Sequence, residues 1–78
     1  EIWLDGTLLR IDRLVRHRES GHWWVLDYKS ALAPQTQQGL REQLQGYHRA
    51  LALTQPADTI RLAFINAQGQ LIEIDPPT

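Results

Sequence analysis

Two aspartates and one lysine stand at positions from which a pair of antiparallel strands would bring them together. The polar run Arg18–Gly21 ends in glycine and predicts a hairpin loop between two strands. With these residues in the loop, Asp12 on the first strand lies directly opposite Asp27 on the second. Directly opposed residues share a face with Cβ atoms roughly 4.5–5.5 Å apart, so the two carboxylates would lie side by side.

Adjacent carboxylates inside a sheet repel each other, and a bound divalent cation is the simplest way to offset that repulsion. Mg²⁺ prefers oxygen ligands of this kind, and Mn²⁺ is a possible substitute. Lys29 follows Asp27 by two residues, so the alternation of side chains along a strand places its ammonium on the same face. Two acids and a lysine around a metal ion could activate water and stabilise the charge that develops on a phosphodiester during hydrolysis.

The same spacing also has a purely structural interpretation. Asp12 can form a half-exposed ion pair with a neighbouring arginine, Arg10 or Arg13, and Lys29 is a further partner. The pairing itself depends on loop length, because a loop of three or five residues would turn the two aspartates to opposite faces. Spacing alone therefore leaves a metal site and an ordinary ion pair both open.

The elements that would position these groups are strands followed by a helix. Strands are predicted at 1–4, 7–17 and 22–29 as a three-strand antiparallel meander, with a turn at Asp5-Gly6. A loop over 30–38 leads into a helix with Thr36 as a possible N-cap. The apolar positions of that helix recur at the spacing of one helix face: Leu40, Leu44, Tyr47 and Leu51.

After Pro56 ends the helix, further strands are predicted at 59–65 and 70–74. The predicted order is β-β-β-α-β-β, an α+β fold, and the chain forms a single domain over 1–78.

Composition excludes several classes of protein. The 78 residues include no cysteine, carry a formal net charge of −1 and are 42% hydrophobic, which rules out a disulfide scaffold and a disordered tail. No apolar run approaches the roughly 18 residues of a membrane span, and no signal peptide is visible, so we expect a cytoplasmic protein without a membrane partner. The absence of methionine and the strand-like start predict an excised part of a longer chain.

Three sequence blocks, IDR at 11–13, LDYKS at 26–30 and QLQGY at 43–47, together resemble the RecB-type nuclease domain of the PD-(D/E)XK superfamily. They occur in that family's order. The resemblance implies a restriction-endonuclease-like core whose opening helix, which carries a further acidic or histidine ligand, is missing from this chain.

The resemblance also implies roles for individual residues. Asp12 and Asp27 would hold catalytic Mg²⁺, the main-chain carbonyl of Tyr28 would be a further ligand, and Lys29 would assist catalysis. Within this group the acidic pair and the lysine are the expected catalytic residues.

Two helix residues, Gln43 and Tyr47, lie beside the site in the family and would contact the DNA backbone or support the site. Tyr47 also falls in the apolar stripe of the predicted helix, where it can be an ordinary core residue whose hydroxyl finds a nearby partner. Gln43 flanks the stripe and is the better candidate for a functional role.

The expected function is that of a magnesium-dependent deoxyribonuclease of exonuclease type. It would form the C-terminal part of a bacterial helicase–nuclease in double-strand-break repair and recombination. DNA, the rest of that polypeptide and a further subunit are the expected partners, and the fragment would be weakly active and able to self-associate. The alternative is a non-catalytic nuclease-like module that binds DNA or a subunit.

Overall fold

A computed structural model describes residues 2–4, 7–9 and 13–77, with side chains from Arg13 onward. The described residues contain six strands, one α-helix and a short 3-10 helix at Pro34–Thr36. The strands are β1 (Ile2–Leu4), β2 (Thr7–Leu9), β3 (Arg13–Arg16), β4 (Trp23–Tyr28), β5 (Ile60–Ile65) and β6 (Leu71–Ile74), and the helix is α1 (Gln38–Thr54).

The strands form two sheets. β1 and β2 make an antiparallel pair, and the other four strands form a sheet in the order β3-β4-β5-β6. Within that sheet β4 and β5 run parallel, whereas the two outer pairs are antiparallel. Parallel neighbours need a long crossover connection, which α1 supplies. This mixed sheet with one helix is an α+β fold consistent with a restriction-endonuclease-like core, as predicted.

The β3–β4 hairpin has the predicted register. Arg13 pairs with Leu26 and Arg16 with Trp23, and the N–H of His17 donates to the carbonyl of His22 over 2.8 Å. The loop ends at Gly21, whose φ of 73° is a left-handed conformation that glycine adopts without strain. The predicted opposition of Asp12 and Asp27 lies outside the described residues, because Asp12 is not among them.

The predicted strand over 7–17 contains two of the described strands. Thr7–Leu9 pairs antiparallel with β1 and Arg13–Arg16 pairs antiparallel with β4, which are the two pairings that the predicted three-strand meander requires. Residues 10–12, between these two strands, lie outside the described residues. The predicted Asp5-Gly6 turn lies outside the described residues.

The helix start also differs from the prediction. Gln37 occupies the N-cap position of α1 without a side-chain capping bond. Thr36 instead belongs to the 3-10 helix, and its hydroxyl donates to the carbonyl of Ala33 over 2.7 Å. The N-cap prediction was wrong because Pro34, favoured at the first position of a helical turn, starts a separate turn that includes Thr36.

The hydrophobic core lies between α1 and one face of the large sheet. The predicted helix stripe faces the sheet, with Leu44, Tyr47 and Leu51 buried and Leu40 packed against them. The sheet contributes buried side chains from three neighbouring strands: Val25, Ile60, Leu62, Phe64 and Ile74. Burial of this face stabilises a helix that contains glycine at two positions.

Alternation along β4 divides its side chains between the two faces. Trp23 and Val25 belong to or pack against the core, so Asp27 lies on the same side of the sheet as α1. Trp24 lies on the opposite face, where the Arg61 guanidinium stacks 4.7 Å from the ring centroid.

Among the described helices, none is both long and apolar enough to cross a lipid bilayer.

Candidate active site

Asp27 is a buried carboxylate near the end of β4. It is 5% exposed, faces the side of the sheet covered by α1, and pairs in register with Phe64 of β5. Transfer of a carboxylate from water into a protein interior is costly unless charge and hydrogen bonds compensate for it. A positive charge beside Asp27 is therefore needed to offset the cost of burying its carboxylate.

Lys29 supplies a positive charge beside that carboxylate. Its Nζ lies 3.2 Å from Oδ2 of Asp27, and its side chain is 27% exposed. Lys29 follows the last residue of β4, and its backbone N–H donates to the carbonyl of Ile65 over 3.0 Å. The ammonium thus neutralises Asp27 on the face that strand alternation predicts, and the Lys29 side chain stays partly exposed.

Tyr28 lies between these two residues but its side chain has a different environment. The ring is on the opposite face and the residue is 51% exposed. The predicted role of Tyr28 involves only its main-chain carbonyl, and that role stays a prediction.

The two predicted helix residues contact each other on α1. Nε2 of Gln43 donates to the hydroxyl of Tyr47 over 3.0 Å, as residues four apart on a helix can do. Tyr47 is 8% exposed and belongs to the same core cluster as Val25, which agrees with its interpretation as a core residue with a satisfied hydroxyl. Gln43 is exposed, and its hydrogen bond reaches the Tyr47 hydroxyl from the solvent side.

The donor chemistry at the end of β4 fits a hard divalent cation. Mg²⁺ and Mn²⁺ take carboxylate and carbonyl oxygens, and Asp27 and the Tyr28 carbonyl are oxygen donors of this kind. Within the described residues no three His, Cys, Asp or Glu side chains lie together as a metal-binding group. The second predicted acidic ligand, Asp12, lies outside them, so the described part supplies one carboxylate of the predicted pair.

Two side chains away from this site have shifted pKa values. The pKa of Arg61 is raised by its hydrogen bonds to Glu73, with both N···O distances at 2.7 Å. Burial lowers the pKa of His48, and the neighbouring Arg49 charge lowers it further. Neither group contacts Asp27 or Lys29 through a described hydrogen bond or ion pair, so these two pKa shifts reflect packing elsewhere in the fold and not the candidate site.

Sequence reasoning missed one buried polar residue near the site. Asn66 is 7% exposed and donates from Nδ2 to the carbonyl of Leu32, just beyond Lys29 in the chain. The Asn-Ala-Gln-Gly run predicted only a turn. A turn signal is local, and nothing in it indicates a bond to a segment 34 residues away.

Among the comparisons with known proteins, one gives a match. The family model of the PD-(D/E)XK nuclease superfamily matches residues 10–77, a range that includes every predicted site residue. Neither the curated proteins nor the solved structures include a match.

Proposed function

Because this chain belongs to the PD-(D/E)XK nuclease superfamily, we propose that it is a metal-dependent deoxyribonuclease with Asp12, Asp27 and Lys29 as catalytic residues. The family implies nuclease activity on DNA. The observation that supports these residues is the contact between the buried Asp27 carboxylate and Lys29 Nζ, at 3.2 Å. A buried acid paired with a partly accessible lysine suits a site that must hold a cation and act on an anionic substrate.

The carboxylates would hold the metal ion. A bound divalent cation would lower the pKa of the water it holds, so that hydroxide is available as the nucleophile at neutral pH. It would also offset negative charge on the phosphate. Asp27 would provide one oxygen ligand, the Tyr28 carbonyl a second and Asp12 a third. The predicted hairpin register, confirmed from Arg13 to Arg16, supports this arrangement because its next pair would be Asp12 with Asp27.

Lys29 would act on the reacting groups. Its ammonium can orient the attacking water and stabilise the charge that develops on the phosphoryl oxygens in the transition state. Its contact with Asp27 fixes the direction of the side chain before substrate binds. A positioned cation of this kind accelerates the reaction without first having to reorganise.

Gln43 would contact the DNA backbone. Its amide is exposed on α1, and donation of one N–H to Tyr47 leaves a second N–H and the carbonyl oxygen for a phosphate or sugar. Tyr47 would support Gln43 from the core.

We further propose that the domain belongs to a RecB-type helicase–nuclease of double-strand-break repair and recombination, that Mg²⁺ is its metal, and that it acts as an exonuclease in the bacterial cytoplasm. The IDR, LDYKS and QLQGY blocks support the RecB-type assignment. Their arrangement on the β3–β4 hairpin and α1 is compatible with it.

A second candidate is a non-catalytic nuclease-like module that binds DNA or a partner subunit. The presence of Asp12, Asp27 and Lys29 in the sequence argues against it. Such a module would bind DNA without hydrolysing it.

Cleavage assays on linear and circular DNA distinguish the two candidates. We expect the chain to degrade linear DNA with Mg²⁺ or Mn²⁺, to lose activity with a chelator, and to leave circular DNA intact. Asp27→Asn should abolish cleavage, whereas Asp75→Asn, at an exposed position, should not. DNA binding without metal-dependent cleavage would favour the non-catalytic module, and nicking of circular DNA would contradict the exonuclease assignment.

A further inference from the structure

Asn66 and Asp27 are the two buried polar residues in the described part of the chain. Asn66 directly follows β5 and uses its whole amide. Its Oδ1 accepts the backbone N–H groups of Gln68 at 3.0 Å and Gln70 at 2.9 Å. Its Nδ2 donates to the carbonyl of Leu32 at 2.9 Å and to Oε1 of Gln70 at 3.0 Å. All the donors and acceptor sites of a side-chain amide are therefore occupied.

These bonds have two separate consequences. The bonds to Oδ1 shape the β5–β6 turn, whereas the bond from Nδ2 to Leu32 joins that turn to a distant segment. The orientation of the amide follows from its partners, because backbone N–H groups pair only with Oδ1 and a carbonyl pairs only with Nδ2. Asparagine can therefore both accept the turn N–H groups and donate to the Leu32 carbonyl, whereas an aspartate carboxylate has no N–H to donate.

The distant segment is the one that carries Lys29. Residues 65–67 make three hydrogen bonds to residues 29–32: Lys29 N–H to the Ile65 carbonyl at 3.0 Å, Ala67 N–H to the Ala31 carbonyl at 3.1 Å, and Asn66 Nδ2 to the Leu32 carbonyl at 2.9 Å. Lys29 lies just beyond the end of β4. The path of the chain there is defined by these bonds.

We infer that Asn66 is a positioning residue that holds the 29–32 segment against the end of β5 and so keeps Lys29 Nζ on Asp27. Its importance for catalysis rests on the proposed function of Lys29. The hydrogen-bonded arrangement itself can be tested without any enzymatic activity.

The composition of the chain provides a simple spectroscopic probe. Lys29 is the only lysine and Phe64 the only phenylalanine, so labelling with ¹⁵N-lysine and ¹⁵N-phenylalanine gives one backbone amide signal for each. Hydrogen–deuterium exchange of the Lys29 backbone amide with solvent reports opening of the 29–32 segment. Exchange of the Phe64 amide reports opening of the core, because Phe64 is fully buried in β5.

Three variants separate the bond to the 29–32 segment from the turn. Asn66→Asp keeps the acceptor oxygen for the turn but removes both donations from Nδ2. Ala67→Pro removes the N–H that donates to Ala31 and places proline at a turn position that favours it. Gly69→Ala strains a residue at φ 76° but leaves both bonds to the segment in place.

We expect Asn66→Asp and Ala67→Pro to accelerate exchange of the Lys29 amide by about tenfold or more, with a much smaller change at Phe64. Gly69→Ala should change the exchange rates of the Lys29 and Phe64 amides by the same factor. If Lys29 exchange in Asn66→Asp and Ala67→Pro matched the wild type, or if both amides accelerated equally in them, the inference would be overturned.

Kinetics in the same variants test the catalytic part. Asn66→Asp should lower kcat by about 10- to 100-fold with KM nearly unchanged, since misplacement of a catalytic group affects the transition state more than binding. Gly69→Ala should leave kcat near the wild-type value. An unchanged kcat beside accelerated Lys29 exchange would overturn the role in catalysis. A wild-type chain without hydrolysis would instead contradict the proposed function, and the exchange result would still decide whether Asn66 positions Lys29.

Discussion

At the residue scale, the proposed chemistry depends on a buried carboxylate and the ammonium beside it. Asp27 is 5% exposed and Lys29 Nζ lies 3.2 Å from its Oδ2. A charge in the interior is tolerated when an opposite charge compensates for it. The pair is therefore both a structural feature and a site at which a metal ion and an anionic substrate could meet.

Mg²⁺ should stabilise the fold through Asp27. A ligand that binds only the native state raises the free energy of unfolding by RT ln(1 + [L]/Kd), about 2.7 kcal/mol at a concentration 100-fold above Kd. Thermal melts with and without Mg²⁺ should differ for the wild type and coincide for Asp27→Asn. Equal Mg²⁺ shifts in both proteins would rule out Asp27 as a ligand, and Asp75→Asn should behave like the wild type.

Replacement of the lysine should separate binding from catalysis. Lys29→Ala should abolish cleavage while DNA affinity stays nearly unchanged, because the lysine is proposed to act in the transition state. Its loss also removes one partner of a buried charge, so the free energy of unfolding should fall by about 1–3 kcal/mol. Single-turnover cleavage, DNA titration and denaturant unfolding measure the three effects, and retained cleavage would exclude the lysine from the mechanism.

At the element scale, α1 holds one face of the sheet and supports Gln43. Its stripe of apolar residues is buried against β4 and β5, so the stability of the helix derives mainly from this packing. Gly46 lies inside the helix, and a Cβ added there would meet no atom within 4 Å. The glycine therefore lowers helix stability without an evident packing reason.

Gly46→Ala should stabilise the protein. We expect the free energy of unfolding to rise by about 1 kcal/mol, which for a chain of this size corresponds to an increase in Tm of roughly 4–8 °C. Gly69→Ala is the matched control, because φ is 76° at Gly69 and alanine there should be destabilising by about 1–2 kcal/mol. Thermal and urea unfolding measure both changes, and a lower Tm for Gly46→Ala would show that the glycine has a role in packing after all.

At the scale of the whole molecule, positive charge is concentrated on the β3–β4 hairpin. Arg13 and Arg18 are exposed, and within the described residues neither forms an ion pair. Arg16 is also exposed but is engaged with the Gly21 carbonyl and the Asp58 carboxylate. Because β3 lies at the edge of the four-stranded sheet, the hairpin can face a DNA backbone along that edge.

Charge reversal on the hairpin should weaken DNA binding. The double variant Arg13→Glu/Arg18→Glu should lower affinity and reduce the slope of log K against log salt by roughly 1.4–1.8, the value for two lost phosphate contacts. Arg49→Glu on α1, also exposed, is the control and should have a smaller effect per charge. Fluorescence titrations over a range of salt concentrations measure both.

A different role for these arginines is also tested by that experiment. Charged residues on an edge strand can serve to prevent pairing with another chain. Glutamate would keep that protection, so a double variant that binds DNA as the wild type does would show that the arginines do not contact phosphate and would be compatible with a role in edge protection.

Several features of the fold and site could be predicted because they depend on residues close in sequence or on simple periodicity. The polar loop at 18–21 and the alternation of side chains were enough for the β3–β4 register and for the shared face of Asp27 and Lys29. The spacing of apolar residues on α1 was enough for its buried face. Each of these follows from local backbone geometry.

What only the tertiary structure decided is which segments meet. The sequence did not show that β4 lies parallel to β5 or that Asn66 binds Leu32. These contacts join segments that lie far apart in the chain, such as Trp23 with Ile60 and Asn66 with Leu32. Strand preference and turn signals are the same for each candidate partner, and only the burial of a common core and the satisfaction of buried polar groups distinguish them.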